Sequence, residues 1–375
     1  MPVPGPGIGK TDRFDTTGCV AVMQAVVTTG NGGFEKLVYR EVPVPVAGPG
    51  EVLVQVLAAG VNNTDVNTRL GWYSAEVSAD AGVVPGPETG DRPTKGWNAA
   101  TPFPFIQGTD CCGQVVAAGD AVGSHLIGRR ALIRACMRLQ GFHSHESVWM
   151  GSDFDGAFAQ YVKVPASEVF PVNCAWTDNE LATIPCSYAT AENMLHRADL
   201  KAGEDVLITG ASGGVGSAAI QLAQRRGAHI TAITSADKIE AIRQLGCDRV
   251  LERGSDLRTA LGDNKFDLVV DNVAGDGFGR LIKSLKRGGR YVSSGAIGGP
   301  MAEFDMRDFY LKDITLIGCT AWDEPVFSNL IGYIEQGQIR PLLAKAFALK
   351  DIALAQQEFM EKRHIGNFVL VPPGG

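Results

Sequence analysis

The stretch Asp205–Gly216, DVLITGASGGVG, limits the fold of this chain more than any other. A continuous apolar run, Val206-Leu207-Ile208, stops abruptly in glycine, as a buried parallel strand does at its end. Gly210, Gly213 and Gly216 then recur at every third residue, and Ala218–Ala223 reads as a helix. Strand, glycine turn and helix together aim backbone N–H groups and a positive helix end at an anion, typically a pyrophosphate. Side chains at those glycines would block the approach. An ordinary tight turn in an α/β protein looks the same locally, so the pattern of the chain beyond Gly216 decides for the nucleotide reading.

From Thr177 onward strands and helices alternate. Helices are expected at Asp178–Thr183, capped by Thr177 or Asp178, and at Ala189–Arg197. Strand Val206–Thr209, helix Gly214–Arg226, strand His229–Thr234, helix Asp237–Leu245 and strand Arg249–Leu251 come next. Strand Leu268–Asn272, helix Phe278–Leu285 and strands Arg290–Gly295 and Thr315–Gly318 complete the run. This alternation predicts an α/β fold, a doubly wound parallel sheet with helices on both faces and right-handed connections. The earlier part is strand-rich and broken by Gly and Pro, with strands expected at Met23–Val27, Glu51–Val56, Phe105–Asp110, Gly113–Gly119 and Gly156–Val164. It reads as an irregular β-barrel or sandwich. The last helices, Pro325–Glu335 and Asp351–Lys362, and the strand Phe368–Val371 do not continue the alternation, and we assign them back to the first domain. The division is a flexible extension over 1–22, a catalytic domain over 23–172, a nucleotide domain over 173–321 and the rest of the catalytic domain over 322–375.

Composition narrows the partners. A net charge of −7 gives no reason to expect nucleic acid or an anionic membrane. No apolar stretch is long enough to span a bilayer. The first 18 residues are rich in Pro and Gly and lack the apolar core of a secretory signal. Eight cysteines without dense spacing suit free thiols in a reducing cytoplasm. Residues 74–104, rich in Gly, Pro, Thr and Asp, form a long insertion, either functional or a bystander on the surface.

An NAD site usually places an acid at the end of the second strand. Here that strand ends Ile233-Thr234-Ser235, and Ala236-Asp237-Lys238 come after it. Ser235 can donate to a phosphate oxygen and Lys238 can meet its charge, which favours NADPH. Asp237, two residues on, is explained as an acid in the first turn of a helix.

Motifs in fixed order extend the argument to the whole chain: PVPVAGPGEVLVQV, AAGVNNTD, FIQGTDCCGQVVAAG, GAFAQYVKVPA, GASGGVG and GNFVLVP. Together they resemble the medium-chain dehydrogenase/reductase superfamily, on its quinone oxidoreductase and enoyl reductase side. The resemblance implies a discontinuous GroES-like β-barrel catalytic domain around a Rossmann domain, and a homodimer. Zinc alcohol dehydrogenases of the superfamily carry Cys where this chain has Asn62 and His where it has Thr109. Cys186 stands in the third ligand's place. One thiolate cannot hold a catalytic zinc, which takes about three protein ligands. Cys111 and Cys112 are adjacent, a poor chelating geometry. His143, His145 and Glu146 read as a solvated loop. The expectation is a zinc-independent enzyme.

Without a Lewis acid, a conjugated C=C or a quinone is the more tractable substrate, because hydrogen-bond donors suffice to stabilise an enolate. By resemblance, Tyr73 stands where enoyl reductases carry a catalytic tyrosine, and Asn62 faces the nicotinamide. Tyr73 donates a proton or lines the pocket; Asn62 binds cofactor or substrate, or holds a turn. Thr64 resembles a family position, and so does Asp65, read as structural. On the cofactor side, Ser212, Gly213, Gly214 and Val215 offer amides to the pyrophosphate, with Ser235 and Lys238 beyond. Thr190 resembles a residue beside the nicotinamide or phosphates. Asn272, Gly295 and Ile297 end parallel strands, where ligands bind. Asn367 replaces a frequent family lysine. Trp72, Trp97 and Phe105 are candidates for shaping the pocket. Two other readings stay open: an alcohol or carbonyl dehydrogenase using Cys186, and a non-catalytic NADPH-binding protein.

Overall fold

A computed structural model describes residues 21–73, 98 and 100–374. The extension over 1–22 lies outside these almost entirely, as do Trp97 and most of the 74–104 insertion. The first part of the chain contributes β1 (Val22–Thr28), β2 (Leu37–Pro43), β3 (Glu51–Val61), α1 (Asn63–Leu70), β4 (Phe105–Ile106), β5 (Cys112–Ala118) and β6 (Arg130–Ile133). The short pair β7 (Cys136–Met137) and β8 (Val148–Trp149) comes next, then β9 (Tyr161–Pro165), β10 (Val169–Pro171), α2 (Asp178–Leu181) and α3 (Pro185–Arg197). Thr177 caps α2, its hydroxyl accepting from Glu180 N at 3.3 Å. Pro185 opens α3 four residues before the expected start, at a position whose N–H would be unpaired anyway.

The alternating region supplies β11 (Asp205–Ile208), α4 (Gly214–Arg225), β12 (His229–Thr234), α5 (Ile239–Arg243), β13 (Arg249–Glu252), α6 (Leu257–Leu261), β14 (Phe266–Val270), α7 (Phe278–Ser284), β15 (Leu285–Ser293), α8 (Met306–Tyr310) and β16 (Thr315–Gly318). These six strands form one parallel sheet in the order β13-β12-β11-β14-β15-β16, the doubly wound arrangement. Its two faces bury alternate residues. Leu207 and Val269 face a cluster with Ile282 and Tyr291, while Val206, Ile208, Leu268 and Val270 join the larger core. The chain ends with α9 (Glu324–Glu335), β17 (Leu343–Ala348), α10 (Ile352–Met360) and β18 (Asn367–Val371).

β18 returns to the barrel. It pairs antiparallel with β3 and parallel with β17, closing a seven-stranded sheet drawn from both ends of the chain. This return explains why β3 runs on to Val61, past the expected end at Val56. Ala59, Gly60 and Val61 pair with Leu370, Val369 and Phe368, a distant partner that local periodicity cannot reveal. α9 packs on α3, and Phe327 lies between Phe170 and Trp322, ring centroids 4.8 and 6.2 Å away.

Candidate active site and cofactor cleft

The cradle is shaped by its glycines. Gly210 takes φ +55°, a left-handed turn straight off β11. A Cβ on Gly216 would lie 2.3 Å from Gly210 O, so only glycine lets α4 pack against that turn. At Gly213, the residue preceding α4, a Cβ would meet nothing nearer than 3.6 Å, and no side chain caps the helix. The first N–H groups of α4, at Gly214 and Val215, follow directly on Ser212 and have no carbonyl of their own helix to donate to, and the residues present fit a dinucleotide's pyrophosphate.

The other expected cofactor residues are only partly gathered there. Lys238 is buried, 6% exposed, and its Nζ donates to Lys362 O at 2.5 Å, His364 O at 2.8 Å and Ser212 Oγ at 3.4 Å. Ser235 precedes a single 3-10 turn, and its hydroxyl holds the exposed Asp237 carboxyl below its usual range. Asn367 lies beneath the cradle. Its Oδ1 accepts from Ser187 Oγ at 2.8 Å, its Nδ2 donates to Thr183 O at 3.3 Å, and a Cβ on Gly214 would strike that Oδ1. Its amide is thus spent on joining β18, α3 and α4. Asn272 Oδ1 accepts from Ser294 N and Oγ at 2.9 and 2.8 Å, and its backbone oxygen accepts from Ile297 N at 3.0 Å. Asn272, Gly295 and Ile297 thereby share one rim, at the C-terminal ends of β14 and β15. An open cleft of about 380 Å³, lined by Arg197, Ser293, Ser294, Cys319 and Thr320, adjoins it.

The barrel wall brings together side chains from three separate segments. Asn62 caps α1, its N–H donating to Asp65 Oδ2 at 2.8 Å. Its Nδ2 donates to Asp110 Oδ2 at 2.7 Å and Thr109 Oγ1 at 3.3 Å. Asp110 Oδ1 accepts from Cys186 N at 2.5 Å, tying α3 to the group. Burial lifts the Asp110 carboxyl to about 7, against the pull of the Asn62 amide. Burial, with Asp110 close by, lifts Asp65 to about 8. The Cys186 thiol is pushed well above its ordinary range by burial and by both acids, and is hydrogen-bonded to Thr109 and Thr190. Tyr73, edge-on to Trp72 with ring centroids 5.5 Å apart, is pushed up to about 12 by burial, with the side chains of Thr64 and Asn67 pulling back. At neutral pH its phenol carries its proton. Phe105, buried in β4, packs on Phe103 instead.

Sequence reasoning passes over Asp110. Its signal is a carboxylate inside the run Phe105–Gly113, buried throughout, where a charge needs a reason. It also misses Arg138. That buried guanidinium donates to Trp322 O at 2.8 Å, Phe142 O at 3.0 Å and Ser144 O, and so gathers the loop between β7 and β8. His143, His145 and Glu146 lie on that loop, open to solvent in whole or in part.

Family models match two parts of the chain: the alcohol dehydrogenase GroES-like domain over 48–174 and the zinc-binding dehydrogenase domain over 214–336. A solved structure described as a putative alcohol dehydrogenase, from Sinorhizobium meliloti 1021, is 41% identical with a TM-score of 0.84, covering 94% of this chain and 97% of that one. This chain is a medium-chain dehydrogenase/reductase. As such it is an oxidoreductase working with a nicotinamide dinucleotide. Acryloyl-coenzyme A reductase of Metallosphaera sedula is 27% identical over 360 residues, covering 93% of this chain and 99% of that protein. The cobalt- and zinc-bound thermostable alcohol dehydrogenase of Pyrobaculum aerophilum is 29% identical with a TM-score of 0.78, covering 94% and 100%.

A zinc ion does not fit the residues this dehydrogenase/reductase presents. Asn62 offers an amide already bonded to Asp110, Thr109 offers a hydroxyl, and the Cys186 thiol holds its proton. Among the described residues no three of His, Cys, Asp and Glu come close enough to share a metal.

Proposed function

We propose that this enzyme is a zinc-independent, NADPH-dependent reductase of an activated C=C, in an enone or enoyl thioester, or of a quinone. One observation carries the reading. Where a metal-dependent relative needs an electron-pair acceptor, the described residues of this pocket present protonated or neutral hydrogen-bonding groups: the Tyr73 phenol, the Asn62 amide and the Cys186 thiol. The nicotinamide, when bound, supplies the hydride. The chain's own task is to hold the acceptor and deliver a proton. Tyr73 keeps its proton to high pH and is backed by Thr64 and Asn67, so it donates to the enolate carbon or oxygen as charge develops there. Asn62, fixed by Asp110 and Thr109, orients the ring or the substrate carbonyl. Ser212, Gly213, Gly214 and Val215 hold the pyrophosphate, Thr190 and Asn272 line the nicotinamide end, and Gly295 and Ile297 bound it. Ser235 favours a 2′-phosphate.

The reductase named among the relatives acts on an acryloyl thioester, which agrees with this chemistry. The test is NADPH consumption against quinones, enones and enoyl thioesters, beside NADP⁺ reduction with plain alcohols. Turnover of conjugated acceptors that survives chelator is expected. Alcohol oxidation lost on chelation would overturn the proposal.

We further propose a homodimer acting in the cytoplasm. Among the described residues strand β16 has one neighbour in its sheet, and Met301, Met306, Tyr310, Leu311 and Leu316 stand exposed. An open edge flanked by apolar side chains suits pairing with a second copy. Light scattering at the monomer mass would refute this. No described helix is long and apolar enough to cross a membrane.

A further inference from the structure

Beyond the rim formed by Asn272 and Ser294, the open cleft of about 380 Å³ carries a cation on its wall. Met194 of α3 touches the rim, its Sδ 3.3 Å from Ser294 Oγ and 3.7 Å from Asn272 Nδ2. Arg197 stands three residues further along the same helix. Its Nη1 donates to Gly318 O at 2.8 Å and lies 3.9 Å from Cys319 Sγ, which holds the guanidinium at the end of β16. Among the described residues no carboxylate pairs with it. Two acids stand near: Asp323 lies 3.9 Å from His196 Nε2, and Glu146 follows His145 on its loop. Neither lines the cleft.

The facing wall is held by a second guanidinium. Arg138, 5% exposed, ties the loop that carries His145 to Trp322 O, two residues after Thr320. Cys136 Sγ accepts from Trp322 N at 3.4 Å and fastens the same segment. His145 and Thr320 thereby share the cleft with Arg197. The serine hydroxyls turn inward: Ser293 donates to Gly295 O at 2.9 Å and Ser294 to Asn272 Oδ1 at 2.8 Å. A guanidinium, an imidazole and a threonine hydroxyl are left to meet a ligand. In a chain of net charge −7, a cleft whose described lining holds Arg and His without an acid favours negative charge. The fork of a guanidinium matches a carboxylate or a phosphate.

We propose that Arg197, His145 and Thr320 form a subsite for an anionic group on the substrate, a carboxylate or a phosphate, so that the enzyme selects conjugated acceptors carrying negative charge away from the reacting bond. The inference rests on the reductase reading above and adds the charge of the substrate to it. The subsite adjoins the rim assigned to the nicotinamide end, so a contact made there positions the C=C for hydride transfer.

The experiment measures reduction of acceptors matched around the reacting bond, with NADPH and with NADH. They are a neutral enone, the same enone bearing a carboxylate, and an enoyl thioester with and without a phosphate on its carrier. Wild type should show the lower KM for the charged member of at least one pair. Arg197→Gln should raise that KM about tenfold or more, as loss of a charge-assisted contact does, with a much smaller change for the neutral member. Arg197→Lys should recover part of the loss. A loss confined to the carboxylated enone assigns a carboxylate, and one confined to the phosphorylated thioester assigns a phosphate. An equal loss for neutral and charged acceptors would make Arg197 a prop for β16 and overturn the proposal, as would unchanged KM values throughout. If wild type reduces none of the acceptors, the saturated carboxylate and the saturated phosphorylated thioester are titrated calorimetrically. Binding that weakens in Arg197→Gln would then keep the subsite and overturn the reductase reading alone, whereas no binding would overturn both.

Discussion

The two walls of the cleft handle buried ionisable groups in different ways. Beside the cradle, the buried Lys238 ammonium donates to uncharged oxygens, those of Lys362, His364 and Ser212. On the barrel wall, Asp65 and Asp110 are buried with no described cation against them. Each wall responds in the way its chemistry permits. Lys238 spreads its charge over two carbonyls and a hydroxyl. The carboxyls take up protons, and the barrel wall becomes a nearly neutral pocket of donors. A dinucleotide has matching ends, with phosphates at one and an amide-bearing ring at the other. The contrast teaches which wall should respond to salt and nucleotide charge, and which to pH and the substrate.

The largest effect should come from the neutral wall. Tyr73→Phe removes the one phenol there, and kcat should fall about 10²- to 10³-fold, the usual contribution of a positioned acid. Nucleotide Kd should stay within about twofold of wild type, because the phenol's role is assigned to the substrate and not to the phosphates. Undiminished turnover would leave Tyr73 as pocket lining. Next is the cradle itself. Gly216→Ala puts a methyl 2.3 Å from Gly210 O. A melting-temperature drop equivalent to about 1–3 kcal/mol, with Kd raised for both nucleotides, is expected; a normal melt and normal Kd would mean the turn is not the tight cradle described.

The third prediction is a pH slope. Asp65 is lifted from its ordinary 3.8 to about 8 in the folded chain. The folded state keeps a proton that the unfolded chain has already lost above about pH 4. Its contribution is therefore fully present below that pH and is lost as pH rises towards 8, at up to about 1.4 kcal/mol per pH unit for one proton. Thermal melts from about pH 5 to 8 should fall less steeply in Asp65→Asn than in wild type. Parallel curves would show that Asp65 ionises normally and that the wall is not neutral.

These walls also differ in how far sequence can expose them. The cradle is contiguous, and strand, glycines and helix announce themselves within Asp205–Gly216, so spacing alone gives Gly210, Gly213 and Gly216 their roles. The barrel wall is gathered from residues 62–73, 109–110 and 186. Their meeting depends on β3 pairing with β18 and on α3 starting at Pro185, both set by partners far along the chain. Motif resemblance marks Asn62, Tyr73 and Cys186, but nothing local shows that Asp110 holds both Asn62 and Cys186. Lys362 reads as the last residue of a helix, because periodicity cannot show that the helix stops at Met360 and that Lys362 takes a left-handed turn, its backbone oxygen accepting from Lys238. The same limit applies to Asn367 and Lys238, whose positions near the cradle are expected but whose polar atoms are committed to the protein.

The smallest effect concerns the choice between nucleotides. Asp237 is fully exposed and its carboxyl accepts from the Ser235 hydroxyl, the group that would otherwise greet a 2′-phosphate. A phosphate arriving there must draw the hydroxyl away and tolerate a carboxylate nearby. Asp237→Asn removes the charge and weakens the competing bond. NADPH affinity should improve by about two- to fivefold at low salt, shrinking as ionic strength rises, since exposed charges are well screened. NADH affinity should not move, because it places no phosphate there. Equal improvement for both nucleotides would mean that Asp237 acts on the pyrophosphate instead. A loss of NADPH affinity would mean that Ser235 is held in place by Asp237, making the acid a support of the phosphate site and not its rival.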